Sequence, residues 1–276
     1  MNIKYFWINI EKSTDRCLFM QEQFKLRNIR NERINAITPD KLDNVLEDKP
    51  PFFCGSPVCY NNNCKDCKFE FSCSCSHLEA IKAGYKSGED FFIVCEDDVY
   101  LPFKINFERL IGSLPEDFDI AQLMVLDVNG NSFLYDDCFK NRKLLFTKFD
   151  HTKALYSTAL YLISRKGAKK FLNMMINKQS LKYDLRNFTT SKQADFLLYM
   201  SVNTYTCTFP LCFPSLLFIS EIHPEHFILH KHAIDKIYNI FNDNKLMHPF
   251  ITDYYPYEEF YNHYKALNNN NNNNNN

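Results

Sequence analysis

Five consecutive apolar residues, Phe91-Phe92-Ile93-Val94-Cys95, run directly into three acids, Glu96-Asp97-Asp98. No other stretch constrains the fold as much. A continuous apolar run of this length, bounded by charge, is the pattern of a strand buried on both faces, which needs helices above and below its sheet. In an open α/β sheet ligands bind beyond the carboxyl ends of the strands, so the acids stand where a site belongs. Carboxylates crowded in this way repel one another unless one is protonated or a cation lies among them. Glu96 and Asp98 are two residues apart and point the same way if the backbone stays extended. A hard divalent ion such as Mn²⁺ or Mg²⁺ takes oxygen ligands of this kind. An acidic turn capping the next helix is the competing explanation, and the triplet alone leaves both open.

The remaining pattern is one of strands alternating with helices. Lys4 to Ile10 reads as a first, central strand, Ser13-Thr14-Asp15 as a helix start, and Arg33 to Ala36 as a short second strand. Residues 37–71 are polar and rich in Pro, Asn and Cys, and are expected to form a long loop with a short helix. Ser76 followed by Glu79 is a capping-box pattern, which starts a helix at Ser76 and ends it at Gly88. Further elements are predicted as helix Asn106–Ser113, strands Asp119–Leu126 and Ser157–Ser164, and helix Lys166–Met175. A helix after Asp195, a strand-like stretch ending at Ile219 and a last helix near Ile234–Phe241 complete the series. The alternation predicts an α/β fold with a mostly parallel central sheet flanked by helices. Residues 1–265 are expected to form one domain with a Cys-rich insertion at about 52–75, and the asparagine-rich end, 266–276, to be disordered.

Net charge is −1, without the basic excess of a general nucleic-acid binder. The longest apolar runs, Phe91–Cys95 and a Pro214-interrupted Leu211–Ile219, fall short of the ~20 residues of a membrane span. The first apolar stretch meets charge at Glu11 and Lys12 and lacks a signal peptide's cleavage pattern, so the expected location is cytoplasmic or peripheral to a membrane. The 11 cysteines are an odd number, which argues against a complete disulfide framework. Cys64-x-x-Cys67 with Cys59 and Cys73 would make a structural zinc site. The blander alternative, which we favour, is a loop of reduced thiols or local bridges.

Several segments together resemble one family. Ser74-Cys75-Ser76-His77-Leu78, a stretch of helix and turn, and then Phe92-Ile93-Val94-Cys95-Glu96-Asp97-Asp98-Val99 are similar to glycosyltransferase family 25, which includes bacterial lipooligosaccharide and procollagen galactosyltransferases. Trp7-Ile8-Asn9-Ile10 with Asp15-Arg16 resembles the family's opening strand, and Asp119-Ile120-Ala121-Gln122-Leu123 its next one. Ala159 to Ala168 matches a tyrosine-containing strand, a serine and a helix; Asp195 stands at a family acid, and Pro210 and Ser220-Glu221-Ile222 resemble the final stretch. The Cys-rich residues 54–73 and the segment Arg142–Leu155 depart from the pattern.

The resemblance implies a GT-A-like nucleotide-diphospho-sugar transferase fold, a UDP-sugar donor, Mn²⁺ or Mg²⁺, and inverting attack by an acceptor hydroxyl. The transferred group is expected to be a hexose, galactose or glucose, and the acceptor a glycan, a lipid-linked saccharide or a protein hydroxyl. Mapped onto this chain, Glu96 and Asp98 would contact metal and diphosphate, and Asp97 the donor's ribose or sugar. Arg16 would fork onto the diphosphate. His77 would bond the donor or hold its helix against the acidic strand. Inversion needs a general base, for which Asp195 is the first choice and Glu221 the second. His223, His226, His230 and His232 are candidate late ligands, although a solvated loop explains them more simply. Two rival functions stand beside the transferase. A metal-dependent phosphohydrolase or nucleotidyltransferase is disfavoured because six glycines and no glycine-rich phosphate loop leave little to cradle a phosphate. An inactive binding module is disfavoured because a decayed site has no reason to keep three crowded acids.

Overall fold

The computed structural model describes residues 1–55, 67–215, 217–218, 227–244 and 248–273. The chain begins β1 (Lys4–Asn9), α1 (Thr14–Leu26), β2 (Asn31–Asn35) and a short α2 (Leu42–Val45). Then come α3 (Lys68–Ser87), β3 (Phe91–Glu96), β4 (Val99–Tyr100), β5 (Phe103–Ile105), α4 (Phe107–Gly112), β6 (Ile120–Gln122) and α5 (Val128–Ser132). A π-helical stretch, Phe133–Asn141, leads to β7 (Phe146–Lys148), β8 (Leu160–Ser164), α6 (Arg165–Met175), α7 (Ala194–Ser201), β9 (Thr204–Cys207) and β10 (Phe213–Pro214). The last elements are α8 (Phe227–Asn244), β11 (Ile251–Tyr254) and α9 (Tyr257–Asn273).

Seven strands form one sheet in the order β2-β1-β3-β8-β6-β9-β7. Strands β2, β1, β3, β6 and β9 run one way and β8 and β7 the other, so the sheet is mostly parallel, as the alternation predicts. Strand β1 is internal but not central: β2 alone lies outside it. Alternate side chains feed two cores. Tyr5, Trp7, Ile93, Cys95, Leu160 and Leu162 pack with Phe19, Met20 and Phe24 of α1. Phe6, Ile8, Phe92, Val94, Tyr161 and Ile163 pack with Leu78 and Ile81 of α3, Phe171 of α6 and Leu197 of α7. Burial on both faces accounts for the continuous apolar character of β3.

Three expectations need correction. Ser76 is not an N-cap. Helix α3 begins at Lys68, because Phe71 and Cys75 continue the buried stripe of Leu78 and Ile81 at helical spacing. Ser76 instead sits mid-helix, donating to the Ser72 carbonyl at 2.7 Å and accepting from the Ile37 N–H at 2.8 Å. Residues 68–75 therefore belong to a core helix and not to a loop insertion. The asparagine tract expected to be disordered is entered by α9, whose Phe260 and Tyr264 pack edge-on against Phe19. The stop at Gly88 is as expected, with φ +86° closing α3 in the left-handed conformation. One turn earlier, a Cβ on Gly84 would lie 2.2 Å from the Phe92 ring, so only glycine allows α3 to approach β3 this closely.

Candidate active site

Strands β1 and β3 are parallel, with Ile8 level with Glu96, so Asn9 and the acids leave the sheet side by side at its carboxyl end. Helix α1 starts just beyond β1 and brings Arg16 over the same edge. Strand β8 runs opposite to β3, so its approach, Ser157 to Ala159, meets the acids from the other side. The Glu96 N–H donates to the Ala159 carbonyl at 3.0 Å.

The strand ends at Glu96, and Asp97 and Asp98 form a turn. The two-residue alternation therefore does not carry past Glu96. Glu96 turns to the α3 face, while Asp97 and Asp98 both meet α1. Nη1 of Arg16 donates to Asp97 Oδ1 at 3.0 Å and to Asp98 Oδ2 at 3.2 Å. Nδ2 of Asn9 donates to Asp97 Oδ2 at 2.5 Å. Asp97 is thus buried with both oxygens engaged, and the Arg16 guanidinium also lies 5.3 Å from the Phe218 ring. Burial pushes the Asp97 carboxyl up, with Arg16 and Asn9 opposing. Asp98 is pushed up to about 7 by burial and the neighbouring Glu96, against the pull of Arg16. The Asp98 carbonyl accepts from the Ser215 N–H at 2.6 Å, which ties the turn to the segment after β10.

On the other face, Oε1 of Glu96 accepts from the Thr158 hydroxyl at 2.7 Å and lies 3.5 Å from Nε2 of His77. His77 is buried, and its Nδ1 is 3.1 Å from the Tyr161 hydroxyl. Burial pushes Glu96 up, but His77, Thr158 and the Arg16 charge outweigh it and hold the carboxyl below its ordinary value. This geometry gives His77 the work of tying α3 to the acidic strand. Asp195, in the first turn of α7, accepts the Ser157 N–H at 2.7 Å. Burial pushes it up to about 7, the Ser157 hydrogen bond opposing and the Glu96 charge adding to the rise.

Asn9, Thr158, Tyr161 and Cys73 were not anticipated as members of this cluster. Cys73 is one turn before His77 on α3, and burial together with the charges of Glu96, Glu70 and Asp195 pushes its thiol well up. Asn9 left a trace in the sequence, as the polar residue closing an otherwise apolar strand. Thr158 left none, because its role comes from an antiparallel neighbour.

Among the described residues no group of three His, Cys, Asp or Glu side chains is gathered to hold a metal. Of the cysteines proposed for zinc, Cys67 is buried just before α3 and Cys73 is half-buried on it, while Cys59 and Cys64 lie outside the described residues. Glu221, His223, His226 and the His230 side chain also lie outside them; His232 is exposed on α8. No helix among the described residues is long and apolar enough to cross a membrane.

Fold and site together define an α/β protein with a buried acidic centre at the carboxyl edge of its sheet. The family model described as Glycosyltransferase family 25 (LPS biosynthesis protein) matches residues 2–186, and the chain belongs to that family. It is therefore a glycosyltransferase. The matched span holds Asn9, Arg16, His77, the three acids and Thr158, whereas Asp195 falls after it. No curated protein matches the sequence. Among solved structures, a mutant of Drosophila β1,4-galactosyltransferase 7 in complex with manganese, UDP-Gal and xylobiose is 10% identical, with TM-score 0.28, over 71% of this chain and 69% of that one. Mouse xyloside xylosyltransferase 1, in its apo form, is 13% identical, with TM-score 0.31, over 71% of this chain and 67% of that one. Likeness this slight carries no argument about substrate.

Proposed function

We propose that the protein transfers a hexose from a UDP-sugar to an acceptor hydroxyl, with inversion at the anomeric carbon. The observation that carries this reading is the acidic turn at the end of β3, held by Arg16 and Asn9 on one face and by Thr158 and His77 on the other. Its oxygens suit a hard cation bound by one or two carboxylates that takes its remaining ligands from the donor's phosphates. They do not form a self-sufficient protein cage, in keeping with the lack of a three-ligand group among the described residues. Asp98 would hold Mn²⁺ or Mg²⁺ at the turn, with Glu96 adding its charge from the α3 face, and the ion when bound would stabilise the charge gathering on the leaving diphosphate.

The protein's own groups do the rest. Arg16 keeps the acidic turn in place and faces the diphosphate. Both oxygens of Asp97 are engaged within the protein, which favours an orienting part over contact with the ribose. Asp195 accepts the proton of the acceptor hydroxyl. The oxygen forms its bond to the anomeric carbon as the bond from that carbon to the diphosphate breaks, and the electron pair leaves on the nucleoside diphosphate. A carboxylate whose proton affinity sits close to neutrality is well matched to this task.

The test is thermal unfolding with a panel of UDP-sugars, with and without Mn²⁺. A ligand that binds the native state raises its stability by mass action. Metal-dependent stabilisation that disappears in Asp98→Ala is expected. No stabilisation by any nucleotide, or the same stabilisation in that variant, rejects the reading.

A further inference from the structure

Two aromatic side chains flank Asp195. Tyr156 is 39% exposed, and its ring centroid lies 5.9 Å from that of Phe196 with the planes tilted by 42°. Tyr156 precedes Ser157 and Phe196 follows Asp195, so the 2.7 Å hydrogen bond from the Ser157 N–H to Asp195 draws the two rings together. One residue further on, Thr158 reaches Glu96. Three consecutive residues thus connect an exposed ring, the proposed base and the acidic turn.

The backbone beneath Tyr156 is held at successive positions. The Tyr156 carbonyl accepts from the Leu126 N–H at 2.8 Å. The Ser157 carbonyl accepts from the Tyr199 hydroxyl at 2.8 Å and from Nε2 of Gln122 at 3.0 Å. Ser157 itself has φ +145°, a conformation that non-glycine residues rarely adopt and that persists where surrounding contacts impose it. An aromatic ring open to solvent on so firmly held a backbone is a preorganised contact surface, and preorganisation lowers the ordering cost of binding.

From this geometry we infer that Tyr156 and Phe196 form an acceptor subsite that takes a pyranose ring of a glycan. The C–H groups on one face of a hexopyranose pack against the electron-rich face of an aromatic ring. A sugar resting there would bring one of its hydroxyls towards Asp195. The inference builds on the transfer reaction proposed above and assigns its acceptor to the glycan class.

The experiment is saturation-transfer NMR on the full chain with UDP and Mn²⁺, using lactose, cellobiose and melibiose as probes. Wild-type protein is expected to transfer saturation to the ring protons of at least one disaccharide. Tyr156→Ala and Phe196→Ala should each reduce that signal severalfold, and Tyr156→Trp, which keeps an aromatic face, should retain it. Thermal stabilisation by UDP and Mn²⁺ is measured on the same samples. If it is present in the wild type while no disaccharide receives saturation, or while Tyr156→Ala binds sugar as the wild type does, the subsite is rejected alone. If it is absent from the wild type, the donor reading falls first.

Discussion

The two sides of the site hold their carboxylates in opposite ways. Where β1, α1 and β3 meet, Asp97 has both oxygens engaged by side chains, and one guanidinium spans Asp97 and Asp98. Beside the approach to β8, Asp195 is held, among the described residues, by a single backbone N–H. Dense wiring fixes the position of the first group. Burial, opposed by that hydrogen bond, pushes the second up to about 7, as it does Asp98 at the end of the first group. An enzyme that must grip a charged donor and deprotonate an acceptor needs both kinds of carboxylate.

The strongest way to break this comparison is to remove an acid from the densely wired side. Asp98→Asn should lower kcat on the order of 10³-fold, the scale seen when charge stabilisation is lost at a developing anion. Donor turnover measured against Mn²⁺ concentration checks it, and a metal response equal to wild type would contradict the assignment. Asp195→Asn should cost on the order of 10²-fold in kcat, the lower range for a general base. In the wild type kcat/KM should rise with pH through about 7, as Asp195 loses its proton, and this limb should shrink in the variant to the share that Asp98 supplies.

The same group has a signature in stability. Its carboxyl is raised from 3.8 to about 7, so between these values the native state binds more protons than the unfolded chain. Stability must then fall as pH rises through that window. Asp98 acts with the same sign, so Asp195→Asn should flatten the fall only in part. Denaturant unfolding of metal-free protein at a series of pH values measures it, and an unchanged slope would overturn the account.

Two smaller changes sharpen the comparison. Arg16→Ala removes a charge-assisted hydrogen bond of about 1.5–3 kcal/mol, so donor KM should rise roughly tenfold or more, with little change in sugar binding at the acceptor side. Steady-state kinetics with varied donor gives the answer. Thr158→Val removes one hydrogen bond to Glu96 while keeping the shape of the side chain. The expected loss is about 1 kcal/mol of stability, read as a lower midpoint in denaturant; an unchanged midpoint would show that His77 alone holds Glu96.

Much of this architecture is legible in the residues. The apolar run Phe91–Cys95 dictates a strand covered on both faces, and the abrupt change to Glu96 places charge at its carboxyl end. Such features are local: they depend on hydrophobic period and on the inability of three acids to be buried inside a sheet. The family match over residues 2–186 spans the ordered segments from Trp7 to Ala168. At Ser76 the capping pattern is a short-range signal, and the buried stripe from Phe71 to Ile81 outweighs it by extending the helix upstream.

What the chain settles by itself is therefore the class of fold, the family and the place of the acidic turn. Tertiary structure alone decided that Glu96 and Asp97 face opposite sides of the sheet with different partners. It also decided that Thr158, more than sixty residues away, holds Glu96, and that Ser157 links Asp195 to the same edge. Periodicity along one strand cannot report which strand will lie beside it. The pairing of β3 with an antiparallel β8 is a long-range choice, stabilised by burial on both faces of the sheet, and it is this pairing that completes the site.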